Sequence, residues 1–249
     1  MRTFGLIGYP LSHSFSASYF SEKFKRENIN DAQYLNFPID NINLLKDIFN
    51  QNQELCGLNV TIPYKEKVID YLNELSSEAS AIGAVNTIKI KRTNNQKYLI
   101  GYNTDEYGFR HTLIPHLKEF HNKAIILGTG GASKAVVYVL KSLNIDYLIV
   151  SRTPRESNQI GYKDIDKNLI ENHKIIINTT PLGMYPNINS CPDIPYEYLT
   201  DKHILYDLIY NPEKTLFLMK GEERGSLVIN GHMMLILQAE KAWQIWNED

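Results

Sequence analysis

The sequence predicts an α/β fold divided into two units. Apolar strand-like runs alternate with helical patterns along the chain, a rhythm that builds sheets covered by helices. That rhythm pauses after Tyr102 and starts afresh at Lys123, where an apolar run meets three glycines. A chain of 249 residues has room for two medium-sized domains, each burying a core without disulfide staples.

Residues 3–8, TFGLIG, read as a strand, and 16–28 as an amphipathic helix. Strands follow at 32–37, 55–61, 85–91 and 98–102, with helical patterns at 44–50, 63–72 and 76–82. In the 63–72 pattern Pro63 suits a first helical turn and Thr61 stands just before it, which puts Lys65 in that turn. The second series gives a strand at 123–127, a helix reaching Leu143, strands at 147–150, 174–178, 204–208 and 227–230, and a closing helix over 231–246. Residues 180–195, TPLGMYPNINSCPDIP, read as an ordered irregular loop. The strands are expected to be parallel, and the hinge between units falls within 102–108. Ligands of such sheets lie at the carboxyl ends of strands, so the loops to search follow Gly8, Thr61, Ile100, Leu127, Val150, Asn178 and Leu208.

Composition excludes several classes. The net charge of −2 comes from both signs spread along the chain, with no basic cluster for nucleic acid. The seven histidines show no paired metal spacing, so no metal is expected. Cys56 and Cys191 sit in no CxxC pattern and read as buried free thiols. No stretch is long enough to span a membrane, and the start, MRTFGLIGYPLSHS, lacks the apolar core of a signal peptide. A soluble cytoplasmic protein is expected.

The glycines point to a nucleotide. Gly128, Thr129, Gly130, Gly131, Ala132 and Ser133 supply the first two glycines of G-x-G-x-x-G, with Ser133 in place of the third. Such a motif alone is weak, and a glycine turn between strand and helix needs no ligand. The strand before it and the helix after it give the context in which backbone N–H groups cradle a pyrophosphate. The next strand ends in Ser151, Arg152 and Thr153, where an NAD site usually has an acid for the ribose hydroxyls. Arginine matches a 2′-phosphate with two donors, so the cofactor inferred is NADP.

Two further stretches suggest proton transfer. Lys65 lies in GLNVTIPYKEKV, and a cation at the positive end of a helix dipole is locally unfavourable, by about 0.3–1 kcal/mol. Asp105, in GYNTDEYGF, follows Thr104 where a helix begins. Each alone has an ordinary surface or dipole explanation. Together, a lysine held by a carboxylate can deliver a proton to a ketone oxygen as hydride arrives at carbon, and recover it in reverse. Ser14 and Ser16 suit either helix caps or ligand contacts. Asn59, Thr61 and Asn86 are polar within apolar runs and need partners, from the backbone or from a ligand's hydroxyls. Gln238 lies one helical face on from Met234 and Gly231, and Tyr210 ends a strand region of the second unit.

Taken in order, SHSFS (12–16), NVTIPYKE (59–66), GAVNT (83–87), GYNTD (101–105), GTGGASKA (128–135), SRT (151–153), NTTPLGM (178–184), YDLIYNPEKT (206–215) and NGHMMLILQ (230–238) resemble the shikimate dehydrogenases over nearly the whole chain. The resemblance implies reversible, NADPH-dependent reduction of 3-dehydroshikimate to shikimate, on the route to chorismate and the aromatic amino acids. It implies Lys65 and Asp105 as the catalytic pair. Ser14, Ser16, Thr61, Asn86, Tyr210 and Gln238 match shikimate contacts, with Asn59 close by. Gly128 to Ala132, Arg152 and Thr153 match NADP contacts, with Ser151 in the same slot. Leu208 and Gly231 align with residues near the nicotinamide.

Residues 1–104 with 231–249 would form the substrate domain, the last helix returning to it. Residues 105–230 would form a Rossmann-like NADP-binding domain. The partner expected is the small-molecule substrate, in a monomer or homodimer.

Some positions depart from the family pattern. Ala17 stands where many relatives have proline, and Arg155, flanked by Pro154 and Glu156, stands where a second basic residue is common after the Arg-Thr pair. The chain ends at Asp249, soon after Gln238, so reduced terminal helices are expected. A quinate/shikimate dehydrogenase is the nearest rival; those using NAD tend to carry an acid where Ser151-Arg152 stands. A relative that binds without turnover should have lost Lys65 or Asp105.

Overall fold

The second half of the chain is a six-stranded sheet with every neighbouring pair parallel. A computed structural model describes residues 1–11, 15–93 and 96–248. Cα packing divides the chain into two compact units, Met1–Thr104 with Gln238–Asp249, and Asp105–Leu237. Among the described residues no helix is long and apolar enough to cross a membrane.

The first unit contains β1 (Arg2–Gly8), α1 (Phe15–Arg26), β2 (Ala32–Pro38), α2 (Leu45–Gln51), β3 (Leu55–Val60), β4 (Glu74–Leu75), α3 (Ser77–Ile82), β5 (Thr87–Thr93) and β6 (Gln96–Tyr102). Its sheet runs β2-β1-β3-β5-β6-β4. Where parallel strands are expected throughout, this sheet is mixed: β5 lies antiparallel to both β3 and β6. The physical reason is connectivity, since β5 and β6 are successive strands too close in sequence for the helical crossover a parallel pair requires. The antiparallel run has a useful consequence. It brings the start of β5 to the same edge as the carboxyl ends of β1 and β3.

The stretch at 63–72 is not an α-helix, and Lys65 does not sit in a helical first turn. Residues 61–66 form turns that lead into a 3-10 helix over Lys67–Tyr71. An α-helix would need the Lys65 carbonyl to accept from Ile69. Instead that carbonyl accepts the Val85 N–H at 2.7 Å, and Ile69 donates to Glu66 at 3.2 Å. The helix-dipole argument for Lys65 therefore falls. Cys56 and Cys191, expected buried, are half-exposed.

The second unit contains α4 (Asp105–Leu113), β7 (Lys123–Leu127), α5 (Gly131–Ser142), β8 (Asp146–Val150), β9 (Gln159–Ile160), α6 (Lys167–Asn172), β10 (Ile175–Asn178), β11 (Ile204–Asp207), α7 (Leu216–Glu222), β12 (Leu227–Ile229) and the start of α8 (His232–Asn247). The strand order β12-β11-β10-β7-β8-β9 reverses beside β7. The central strands, KAIIL and IIIN, are apolar on both faces because helices cover both. One cluster includes Val136, Val139 and Leu140 of α5; the opposite one includes Phe217 and Leu218 of α7.

Candidate functional site

In the first unit, strand pairing gathers polar residues that are far apart in sequence. Asn59 on β3 lies opposite Thr87 on β5, and Thr87 lies opposite Tyr102 on β6. One line of hydrogen bonds then runs along this edge. Burial pushes the pKa of the Tyr34 phenol on β2 up, and the nearby Ser16 of α1 pulls it down. Tyr34 donates to Asn59 Oδ1 at 2.8 Å. Asn59 Nδ2 donates to Thr87 Oγ1 at 3.2 Å and to the Asn86 carbonyl at 3.3 Å. The Thr104 N–H donates to Asn86 Oδ1 at 2.7 Å, while Asn86 Nδ2 donates to Thr104 Oγ1 at 3.0 Å and reaches Gln238 Oε1 at 3.4 Å.

Asn59, Asn86 and Gln238, to which the sequence points, thus fall on one buried network, with buried Ser16 near its Tyr34 end. Tyr34, Thr87 and Thr104 complete it; Thr87 and Thr104 lie in GAVNT and GYNTD, whereas Tyr34 belongs to no motif. The available sequence signal for Tyr34 was a residue with an apolar body and a polar tip inside an alternating strand. Thr61 is half-buried, and its hydroxyl has no hydrogen bond among the described residues. Lys65 is half-exposed in the turn before the 3-10 helix. Ser14 lies outside the described residues. Asp105 is buried as the first residue of α4 and opens the second unit.

In the second unit, the glycine loop leaves β7 where the strand order reverses, the usual place for a ligand in an open parallel sheet. Gly128 has φ +110°, and a Cβ there would lie 2.8 Å from Thr179 Oγ1, so both backbone and space require glycine. Gly130 is different. It caps α5 with an ordinary φ of −76°, and a Cβ on it would meet nothing within 4 Å. Neither this fold nor this backbone demands a glycine at 130, and the space beside it is open. Helix α5 has no acid in its first turn and no side-chain cap, so its leading N–H groups at Gly131 and Ala132 suit an anion.

Beyond β8, Ser151 Oγ accepts the Thr153 N–H at 3.1 Å and shapes the turn that exposes Arg152 and Thr153. The Arg155 N–H donates to Gln159 Oε1 at 3.0 Å. A glycine turn, a helix N-terminus and an exposed arginine without an acid form a donor set that fits the phosphates of NADP.

The remaining strand ends are held by Asp207. Its Oδ1 accepts from Ile209 N–H at 3.0 Å and Asn178 Nδ2 at 3.1 Å, and its Oδ2 meets the Thr215 hydroxyl at 2.6 Å. Burial raises its pKa to about 6, while Thr215, Ile209 and Asn178 pull it down. Leu208 follows directly and donates its N–H to the Asn178 carbonyl at 3.0 Å. A Cβ on Gly231 would run into the Leu208 carbonyl, so that glycine lets the two segments touch. Tyr210 is half-buried, and burial raises its pKa.

Residues 6–88 match the model of the shikimate dehydrogenase substrate binding domain. The chain is 38% identical to the shikimate dehydrogenase (NADP(+)) of Methanococcus aeolicus, over 98% of this chain and 91% of that protein. The chain belongs to the shikimate dehydrogenase family. Two solved members of the shikimate dehydrogenase family superpose on it over nearly their full length. That of Thermus thermophilus, in complex with NADP(H) and shikimate, has a TM-score of 0.84 at 25% identity, covering 99% of this chain and 94% of that one. That of Listeria monocytogenes, in complex with shikimate and NAD, has a TM-score of 0.87 at 27% identity, covering 100% of this chain and 92% of that one. Both nicotinamide cofactors therefore occur on this family's fold.

Proposed function

We propose that this chain catalyses the reversible reduction of 3-dehydroshikimate to shikimate with NADPH. The observation that carries the reading is the hydrogen-bonded line of polar side chains from Tyr34 to Gln238, joined to full-length family membership. A ring bearing several hydroxyls and a carboxylate needs many directed hydrogen bonds, and a preorganised polar edge supplies them at little ordering cost.

NADPH supplies the hydride. Residues 128–132 would hold its pyrophosphate, Arg152 and Thr153 its 2′-phosphate, and Leu208 and Gly231 would border its nicotinamide. Ser14, Ser16, Asn59, Thr61, Asn86, Tyr210 and Gln238 orient the substrate. Lys65, with Asp105, gives a proton to the carbonyl oxygen in reduction and takes it from the hydroxyl in oxidation. In this reading residues 1–104, with the last helix, form the substrate domain, and 105–230 the cofactor domain.

The test is NADPH oxidation by the purified chain with 3-dehydroshikimate against 3-dehydroquinate, repeated with NADH. The expected result is turnover with 3-dehydroshikimate and a clear preference for NADPH. Turnover with neither acid would overturn the reaction, and equal use of both nucleotides would overturn the cofactor.

A further inference from the structure

Tyr34 belongs to no motif, yet its hydroxyl donates to Asn59 Oδ1 at 2.8 Å, and Ser16 is near enough to pull its pKa down. We infer that Tyr34 is a positioning residue for the substrate: its hydroxyl holds the Asn59 amide in register, so that affinity for the hydroxylated acid depends on it. This rests on the proposed reaction.

The geometry carries the inference in two steps. Asn59 Oδ1 accepts from Tyr34 at 2.8 Å, which fixes the amide so that its Nδ2 points towards Thr87 and Asn86. A buried amide with a single good acceptor bond has one satisfied orientation, and removing the donor frees it to turn. On the other side the phenol feels Ser16, which pulls its pKa down and is a small side chain with three rotamers that its own shape does not choose among.

The ring itself is anchored separately. It stacks on Phe20, centroids 4.6 Å apart at 15°, and lies 6.4 Å from Trp246. Packing and hydrogen bonding at Tyr34 are therefore separable by mutation. Tyr34→Phe removes the hydroxyl and keeps the stack, while Phe20→Leu disturbs the stack and keeps the hydroxyl.

The experiment measures steady-state constants and thermal melts for the unmodified chain, Y34F, F20L, S16A and the double variant S16A/Y34F. Y34F is expected to raise KM for 3-dehydroshikimate about tenfold, the scale of one hydrogen bond. KM for NADPH should stay within about twofold, because the cofactor contacts lie elsewhere. F20L should lower the melting temperature with little change in the KM for 3-dehydroshikimate. The double variant should lose less than the product of the two single losses, since both act through one network.

An unchanged KM in Y34F overturns the inference. So does a KM rise in F20L equal to that in Y34F, which would make the effect one of packing. Independent losses in the double variant also overturn it. Absence of turnover in the unmodified chain counts against the proposed reaction instead, a result distinct from any of these.

Discussion

A lysine that delivers a proton is replaceable in binding but not in chemistry. Lys65→Ala should therefore lower kcat by roughly 10²–10⁴-fold while NADPH still binds, checked by turnover and by nucleotide titration of the variant. Near-normal turnover would mean that the proton comes from another group. Arg152 makes the opposite kind of contribution. It is exposed beyond β8 in a turn shaped by Ser151, so its loss should leave the fold intact. Arg152→Ala should raise KM for NADPH far more than KM for NADH, since only the former carries the 2′-phosphate. Equal effects on both would remove the arginine from phosphate recognition. Asn59 and Asn86 were legible as buried polar residues because they stand inside apolar runs, where a buried amide must find partners. Tyr34 was not, because a tyrosine in a strand is explained by packing alone and its hydrogen bonds join residues far apart in sequence.

Elements were legible where the pattern is local and illegible where a distant group decides. The glycine turn, α5 and the apolar strands β7 and β10 follow from short-range patterning. The stretch around Lys65 does not, because the Val85 N–H captures the carbonyl that a helix would use. Nor does the mixed pairing of β5, since alternation gives a strand but not its neighbour's direction. Asp207 acts at this scale, joining the ends of β10 and β11 to the Thr215 cap of α7. Its folded pKa of about 6 lies above the ordinary aspartate value of 3.8. The native state therefore holds a proton that the unfolded state has lost across that interval. Its contribution to stability is full below about pH 4, falls as pH rises to about 6, and is constant above. The full change is on the order of 3 kcal/mol. Asp207→Asn keeps Oδ1 for Ile209 and Asn178, and its amide can donate to Thr215. Denaturant melts from pH 4 to pH 7 should show this slope in the unmodified chain and a flatter profile in the variant. Asp207→Leu should cost about 1–3 kcal/mol, because it strands three donors.

At the scale of the whole chain, the first unit is closed by residues that come last. Trp246 stacks on Phe4, centroids 4.9 Å apart at 25°, and its indole N–H donates to the Ile88 carbonyl at 3.0 Å. Gly57 on β3 has no side chain because one would enter that indole ring. Phe4, Phe20, Phe24, Ala239, Ala242 and Trp246 form one buried cluster, and Lys23 on α1 bonds Glu240 at 2.8 Å. A core that joins residue 4 to residue 246 cannot form until nearly all of the chain is available. Local patterning gave the closing helix but not its packing against Phe4, Phe20 and Phe24. Trp246→Ala should destabilise the protein by about 3–5 kcal/mol, through lost burial and the cavity left beside β3. Gly57→Ala should destabilise it by the opposite fault, overpacking against the same ring, by about 1–3 kcal/mol. Combining the two should recover part of the loss, because the smaller neighbour admits the added methyl. Urea denaturation of the single and double variants measures this directly. Strict additivity would show that the glycine and the indole do not share the contact, and the account of how the last helix closes the first unit would then fail.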